Sequence, residues 1–474
     1  MKKMINFILI GVLIYTLVMP TDAYASSWPK APSIDAKGAV IMEISSGTVI
    51  YSKNMNKNYY PASITKIMLT LVALENSSLN ETVTISQNAI NQIGYDAANM
   101  GVVAGEKITM KDALYGAMLK SANELCNAVA EHIAGSIDAF VDMMNAKAKE
   151  LGCKNTHFVT TNGLHDKNHY TTAYDYALIS RAAFKNETFR TITGTEKYTI
   201  GKTNKNKNKR TFSNHHQMLV GGKYSSKYSG CLGGKTGFTT PASNTLVTYA
   251  KKNNIEYVVV ILKAKTNSKK SGLNMQYDDT KKLLSEAASN FSKHSIITNE
   301  GNSLKEDFVS FNKYFNLESK DSTGYISIDK NSSIILPKKV KFSSAKKKVT
   351  FNDNPDIISG DNIIGKLSYT YAGKQVGNVD IIMKYYPKSK VTNISLPEEM
   401  LNYSLLLNDN NSSTIVKKTK SIFFQILIIV IVVGLALFLL FYFKINNARK
   451  RRRRAYQSRR KRSRITFNDR DFKL

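Results

Sequence analysis

Pro61-Ala62-Ser63-Ile64-Thr65-Lys66-Ile67-Met68-Leu69-Thr70-Leu71-Val72-Ala73-Leu74 is the stretch from which the fold can be built outward. Ile64, Ile67, Met68, Leu71 and Leu74 recur at helical spacing, and Leu69 and Val72 extend the apolar surface nearly all the way round. Such a helix must be buried on every side, so it stands at the centre of a domain with other layers packed about it. Ser63 opens this helix, where backbone N–H groups are unpaired and the helix dipole is positive. Lys66 follows at i+3, on the same face and within hydrogen-bonding reach.

The flanking segments supply the other layers. Gly38 to Lys53 alternates into two short strands around Ser45-Ser46-Gly47, a hairpin signal. Thr109-x-x-Asp112 is a capping signal ahead of Ala113, Leu114, Ala117 and Met118. Ser121-Ala122-Asn123 falls where two helical patterns meet, and a further helix from Ile137 to Leu151 ends at Gly152, a suitable C′ residue. Apolar strands return at Thr245–Tyr249 and Tyr257–Leu262. This order predicts an α/β (α+β) fold, an antiparallel sheet made from both ends of the domain, flanked by helices, with an all-helical insert. From Lys293 onward, short β-type runs such as Ile334–Leu336, Ile363–Leu367 and Val376–Met383 predict a small all-β domain ending near Pro387.

Both termini carry membrane-related signals. Lys2 and Lys3, the apolar run Ile5 to Met19 and Ala23-Tyr24-Ala25 form the three parts of an export signal cleaved after Ala25. Ile422 to Phe443 is a 22-residue apolar stretch, ~33 Å as a helix and long enough to span a bilayer. Residues 444–474 contain 14 Lys or Arg against two Asp, and positive flanks stay cytoplasmic. The expected arrangement is a signal peptide (1–25), a catalytic domain (26–290), a β-rich domain (295–390), a linker (391–421), one transmembrane helix (422–443) and a basic cytoplasmic tail (444–474). The bulk of the chain is then extracellular, on a single-pass anchor in the cell membrane. The tail suits anionic lipid; nucleic acid is not the expected partner. Of the net charge of +31, residues 26–443 hold +18, and such a basic exterior suits a phosphate- or carboxylate-rich surrounding, such as an anionic cell wall.

Three cysteines (Cys126, Cys153, Cys231) give neither zinc spacing nor a disulfide framework. Cys126 and Cys153 read as buried small hydrophobes. Cys231, four residues before Lys235, is a place where a thiol reagent would crowd the site. His215 and His216 are neighbours that a strand would point to opposite faces. No metal and no cofactor are expected.

Three motifs stand in order: Ser63-Ile64-Thr65-Lys66, Ser121-Ala122-Asn123 and Lys235-Thr236-Gly237. They supply a serine nucleophile, a lysine that can take its proton, a polar relay pair and a cationic strand, sufficient for acyl transfer without a catalytic histidine. A lysine accepts a proton only when neutral, and burial together with a second cation, Lys235, would lower its pKa. The ordered triple resembles that of the penicillin-binding proteins and serine β-lactamases. Pro61-Ala62-Ser63, Gly135 with Phe140, Met144-Asn145, Leu151-Gly152, Asn162-Gly163-Leu164 and Lys235 to Thr239 make the chain similar to low-molecular-mass D-alanyl-D-alanine carboxypeptidases over roughly residues 30 to 275. The β-rich region resembles the C-terminal domain of the same enzymes.

The resemblance implies a β-lactamase/transpeptidase-like fold and an enzyme that shortens pentapeptide stems of peptidoglycan and is acylated by β-lactams. It implies that Ser63 attacks the penultimate D-Ala carbonyl while Lys66 accepts its proton. Ser121 would pass the proton to the leaving amine, and Asn123 would hold the substrate amide. Lys235, Thr236 and Thr239 would bind the terminal carboxylate, with Gly237 between them. The N–H groups of Ser63 and Phe238 would form the oxyanion hole. Glu124 stands where relatives often have Asp, and Pro241-Ala242-Ser243 replaces a common Ala-Gly; both are expected at the rim of the site. A transpeptidase or endopeptidase, a β-lactamase and an inactive wall-binding scaffold remain the alternatives.

Overall fold

The alternation at residues 38–53 folds into β1 (Gly38–Glu43) and β2 (Val49–Lys53), an antiparallel hairpin with Ala39 opposite Lys53 and Ile41 opposite Tyr51. The computed structural model describes residues 28–387 apart from 224, 226, 267–273, 302–303, 305–321 and 353–357, together with parts of 442–457. Residues 1–394 form one compact unit and 395–474 a second.

Ala62–Thr65 form a single 3₁₀ turn that runs into α1 (Lys66–Asn76), so Ser63 lies in the turn ahead of the α-helix. Every α1 residue from Lys66 to Ala73 is buried, as its all-round apolar surface requires. The helical insert follows as α2 (Met110–Tyr115), α3 (Asn123–Ala134), α4 (Ile137–Glu150), α5 (Ala173–Lys185) and α6 (Glu187–Gly194). The capping signal is realised: Thr109 Oγ1 accepts the Asp112 N–H (3.0 Å) and donates to its carboxylate (2.8 Å).

The chain then returns to the sheet as β3 (Cys231–Thr239), β4 (Ser243–Lys252) and β5 (Ile255–Ala264), giving the antiparallel order β2-β1-β5-β4-β3. Val40, Met42, Val258 and Val260 join the core beneath the helical insert. Their neighbours Ala39, Ile41, Val259 and Ile261 face the other way and pack with Leu283, Leu284 and Ala287 of α7 (Met275–Asn290). Strands covered on both faces need apolar side chains at every position, which is why β5 reads as a continuous apolar run.

Beyond α7, β6 (Phe291–Ser295) pairs with β8 (Ser333–Pro337). A separate four-stranded antiparallel sheet has the order β7-β11-β10-β9, from β7 (Ser322–Ser327), β9 (Lys346–Phe351), β10 (Gly360–Tyr371) and β11 (Lys374–Pro387). Among the described residues no helix is long and apolar enough to cross a membrane. The signal residues 1–25, the linker and positions 422–441 of the apolar stretch lie outside the described residues.

Candidate active site

A 3₁₀ turn has three residues per revolution, so side chains at i and i+3 are brought into line. Ser63 and Lys66 meet in this way, with Lys66 Nζ 3.0 Å from Ser63 Oγ. Nζ has two further acceptors, Asn123 Oδ1 at 2.7 Å and the Asn162 carbonyl at 2.6 Å. An ammonium can donate to all three. Once neutral, the amine can keep its two protons on the asparagine oxygens and turn its lone pair to Ser63 O–H. Complete burial lowers the Lys66 pKa to about 8, while Cys126 and Glu124 nearby pull it in the opposite direction.

Lys235 is also buried, its ammonium donating to the Thr236 carbonyl at 2.8 Å. Burial, and then the positive charge of Lys66, push its pKa well below the usual lysine range. The dominant cause of the Lys66 shift is therefore desolvation, with the second-cation effect visible on Lys235. Gly237 makes the approach of β3 possible. A Cβ there would stand 2.4 Å from Thr245 Oγ1 and 2.9 Å from the Ser63 nitrogen. Thr245 Oγ1 in turn donates to the Pro61 carbonyl (2.8 Å), tying β4 to the residues just before the nucleophile. Phe238 is exposed, Thr236 and Thr239 are half-buried, and Thr239 Oγ1 accepts the Ala242 N–H at 3.2 Å.

Ser121 lies at the junction of two helices. A π-helical turn at Gly116–Lys120 ends α2, and Ser121 adopts left-handed backbone angles (φ 64°, ψ 29°) before α3 begins. Its side chain is buried, and among the described residues its hydroxyl makes no hydrogen bond. Asn123 uses both ends of its amide: Oδ1 accepts from Lys66, and Nδ2 donates to the Ala98 carbonyl at 2.9 Å.

Sequence reasoning missed two contributors. Asn162 acts through its carbonyl oxygen, a group that no side-chain pattern reveals. The following Gly163 (φ 86°) lets this loop approach, because a Cβ would sit 2.0 Å from the Ala62 oxygen. His169 is the second. Its Nε2 lies 3.0 Å from Thr65 Oγ1, and its Nδ1 lies 3.2 Å from the backbone nitrogens of Val159 and Thr160. Burial lowers its pKa to about 3. This neutral imidazole therefore donates through Nε2 and accepts through Nδ1, joining the serine turn to the loop that carries Asn162.

Two expectations are corrected. Glu124 is not at the rim: it is 1% exposed, its Oε1 accepts the Met100 N–H at 2.6 Å, and burial raises its pKa. Cys231 is buried on β3, and desolvation pushes its thiol up to about 12, which leaves little thiolate for a reagent. Cys126 is fully buried and Cys153 partly so. Among the described residues no cluster of three His, Cys, Asp or Glu could hold a metal ion.

The chain is similar to known proteins in sequence and in fold. The family model described as D-alanyl-D-alanine carboxypeptidase matches residues 25–266. The D-alanyl-D-alanine carboxypeptidase DacF of Bacillus subtilis is 34% identical over 305 residues, which are 62% of this chain and 73% of that protein. DacA of Haemophilus influenzae, with the same described activity, is 28% identical over 361 residues, 74% of this chain and 84% of that one. The crystal structure of penicillin binding protein 6B from Escherichia coli superposes with a TM-score of 0.53 at 24% identity, covering 76% of this chain and 96% of that one. That likeness shows a shared mixed α/β fold. With the family match and the DacF identity beside the Ser63–Lys66 geometry, the chain belongs to the D-alanyl-D-alanine carboxypeptidase family of serine peptidases.

Proposed function

We propose that this chain removes the terminal D-Ala from peptidoglycan pentapeptide stems through an acyl-Ser63 intermediate, and that β-lactams acylate the same serine. The observation that carries the reading is the buried Lys66 amine, 3.0 Å from Ser63 Oγ and held by two asparagine oxygens. With a pKa of about 8, roughly a quarter of Lys66 is neutral at pH 7.5, against about one part in a thousand at the ordinary value of 10.5.

The proposed steps use these groups in turn. The terminal carboxylate meets Lys235, Thr236 and Thr239, which sets the penultimate carbonyl over Ser63. Ser63 Oγ attacks, and its proton moves to Lys66 Nζ. The oxyanion is held by the N–H groups of Ser63 and Phe238, one such donor typically contributing ~3 kcal/mol. The proton passes through Ser121 to the D-Ala nitrogen, the C–N bond breaks and the D-alanine leaves. Water attacks the ester by the reverse proton route, freeing the tetrapeptide stem and Ser63. Asn123 has a second amide N–H for the substrate beyond the one given to Ala98.

We assign the catalytic role to residues 26–290, followed by a β-rich domain (295–390) and a linker (391–421). Export by residues 1–25 and anchoring by 422–443 would place the enzyme on the outer face of the cell membrane, with the basic tail at anionic lipid inside. The apolar lengths and the flanking charges support this placement.

The test is intact-mass spectrometry of the protein with benzylpenicillin, beside an assay of D-Ala release from a pentapeptide stem. A long-lived adduct and D-Ala release, both lost in Ser63→Ala, are expected. Absence of an adduct, or one that turns over within seconds as the drug is consumed, would reject this reading.

A further inference from the structure

A cavity of about 640 Å³ opens between the β4–β5 turn and the β6–β8 ribbon, and it shares no lining residue with the serine site. From Thr245 beside Ser63, β4 runs seven residues to Lys252 before reaching that turn, on the order of 25 Å along the sheet. The volume is that of a small-ligand site. Three lysines line it, Lys293, Lys330 and Lys338, and no carboxylate does. Among the described residues none of the three ammonium groups has an ion pair or hydrogen bond.

The fold brings these cations together from separate places. Phe291, Lys293 and Ser295 alternate along β6 and so share one face. Ser333 lies directly opposite Ser295 on that face. Lys330 comes from the turn before β8, and Lys338 follows its last residue. The facing wall is the tight turn Asn253-Asn254 (φ 52° and 60°), anchored by an Asn253 Nδ2 bond of 3.0 Å to the Ala288 carbonyl. Ile255 and Phe291, both buried, form an apolar base. The nearest acid in sequence, Asp329, accepts the Asn331 N–H at 2.8 Å.

Unpaired ammonium groups around a cleft create a local positive potential that attracts anions. Three of them, all exposed, carry the charge to attract a phosphate, and the amide and hydroxyl groups of the same lining can hydrogen-bond the alcohols of a polyol or sugar. We propose that this cleft is a second binding site, for a phosphate ester borne on a polyhydroxylated chain. Occupied by a wall polymer, it holds the enzyme against its surroundings while Ser63 works on a stem peptide; that last clause rests on the activity proposed above, whereas the anion site does not.

The probe is fluorescently labelled oligo(glycerol phosphate), titrated by anisotropy against the full-length chain. Lys293→Gln/Lys330→Gln/Lys338→Gln should weaken binding about tenfold or more. A control with the same charge change at exposed positions, Lys57→Gln/Lys107→Gln/Lys149→Gln, should change it less than twofold. Equal losses in the two variants, retained binding in the first, or no binding by the unaltered chain would each overturn the proposal. Lysine footprinting of the unaltered chain gives an independent reading: the oligomer should protect Lys293, Lys330 and Lys338 from an amine-acylating reagent, and unprotected lysines there would refute the site. Displacement by glucose 6-phosphate at equal phosphate concentration would assign the site to free sugar phosphates. Its failure to displace would assign the site to the polymer. Penicillin acylation, measured on every variant, reports the serine site separately, so either reading can fail without the other.

Discussion

Replacing Asn123 by Asp sets a carboxylate where the amide oxygen now stands, 2.7 Å from Lys66 Nζ, with almost no change of shape. Two unit charges about 4 Å apart at an effective dielectric near 20 interact by about 4 kcal/mol, or about 3 pKa units. Burial of the new carboxylate opposes its ionisation, as does the Ala98 carbonyl that now accepts from Nδ2 at 2.9 Å, and together they take back part of this, leaving a rise of roughly 2 units when the carboxylate is charged. Lys66 would move from about 8 to around 10 or higher. Neutral Lys66 at pH 7.5 would then fall from about a quarter to about 0.3%, and acylation by benzylpenicillin on the order of 100-fold. Acylation rates read from pH 6 to 10 should, in the unaltered enzyme, rise about tenfold per pH unit and level off above about 8. In Asn123→Asp the plateau should shift to about pH 10, so the proton-dependent deficit shrinks to about twofold there. Asn123→Ala removes an acceptor from the ammonium without adding charge, so its inflection should stay at or below about 8 even if the overall rate drops. An Asn123→Asp profile still inflecting near 8, with the new side chain shown to be ionised by its carboxylate infrared band, would refute Lys66 as the group whose proton controls attack.

Gly237→Ala drives a methyl group into Thr245 Oγ1 and the Ser63 nitrogen, so acylation should fall at least tenfold, with a stability loss of about 1–3 kcal/mol on thermal unfolding. Iodoacetamide at pH 8 should modify Cys231 on the order of 1,000-fold more slowly in the folded chain than in urea, because its pKa of about 12 leaves so little thiolate; folded protein exposed to the reagent should keep its full penicillin adduct. Arg210→Met removes the guanidinium that pairs with Glu106, a carboxylate 1% exposed, and should cost about 3 kcal/mol in urea titration. A loss below about 1 kcal/mol would show that the Arg210–Glu106 contact contributes little to the fold.

The sheet and the centre of the domain were legible because their signals are local and repeated. An all-round apolar helix at Lys66–Asn76 and the continuous apolar run Tyr257–Leu262 in β5 have few other solutions once both faces must be covered. Ser63, Lys66, Asn123 and Lys235 were legible as motifs, since the roles proposed for them lie in their side chains. Asn162 and His169 were not, for different reasons. Asn162 supplies a backbone carbonyl, and every residue has one; only the folded loop, with Gly163 against Ala62, shows which carbonyl is used. His169 is a lone histidine whose importance depends on Thr65, 104 positions away. The same limit explains Glu124. A charged residue beside a motif reads as exposed unless the Met100 N–H that receives it can be seen.

The two lysines explain why the site should act on substrates that end in a carboxylate. Among the described residues no carboxylate pairs with Lys235, and its charge is opposed by burial and by Lys66. An arriving terminal carboxylate reverses the first disadvantage by giving the ammonium a partner. Once Lys235 is firmly charged, its repulsion favours the neutral, proton-accepting form of Lys66 to the extent that the ammonium lies nearer to Lys66 than the carboxylate it holds. On the proposed mechanism, the binding step therefore prepares the base for the attack that follows. A substrate amidated at its C-terminus would lose both the contact and this preparation. It should show a lower kcat as well as a higher KM, and its kcat should recover partly at a pH above 8, where Lys66 is neutral without help. An amide substrate altered in KM alone would mean that the carboxylate serves only to bind.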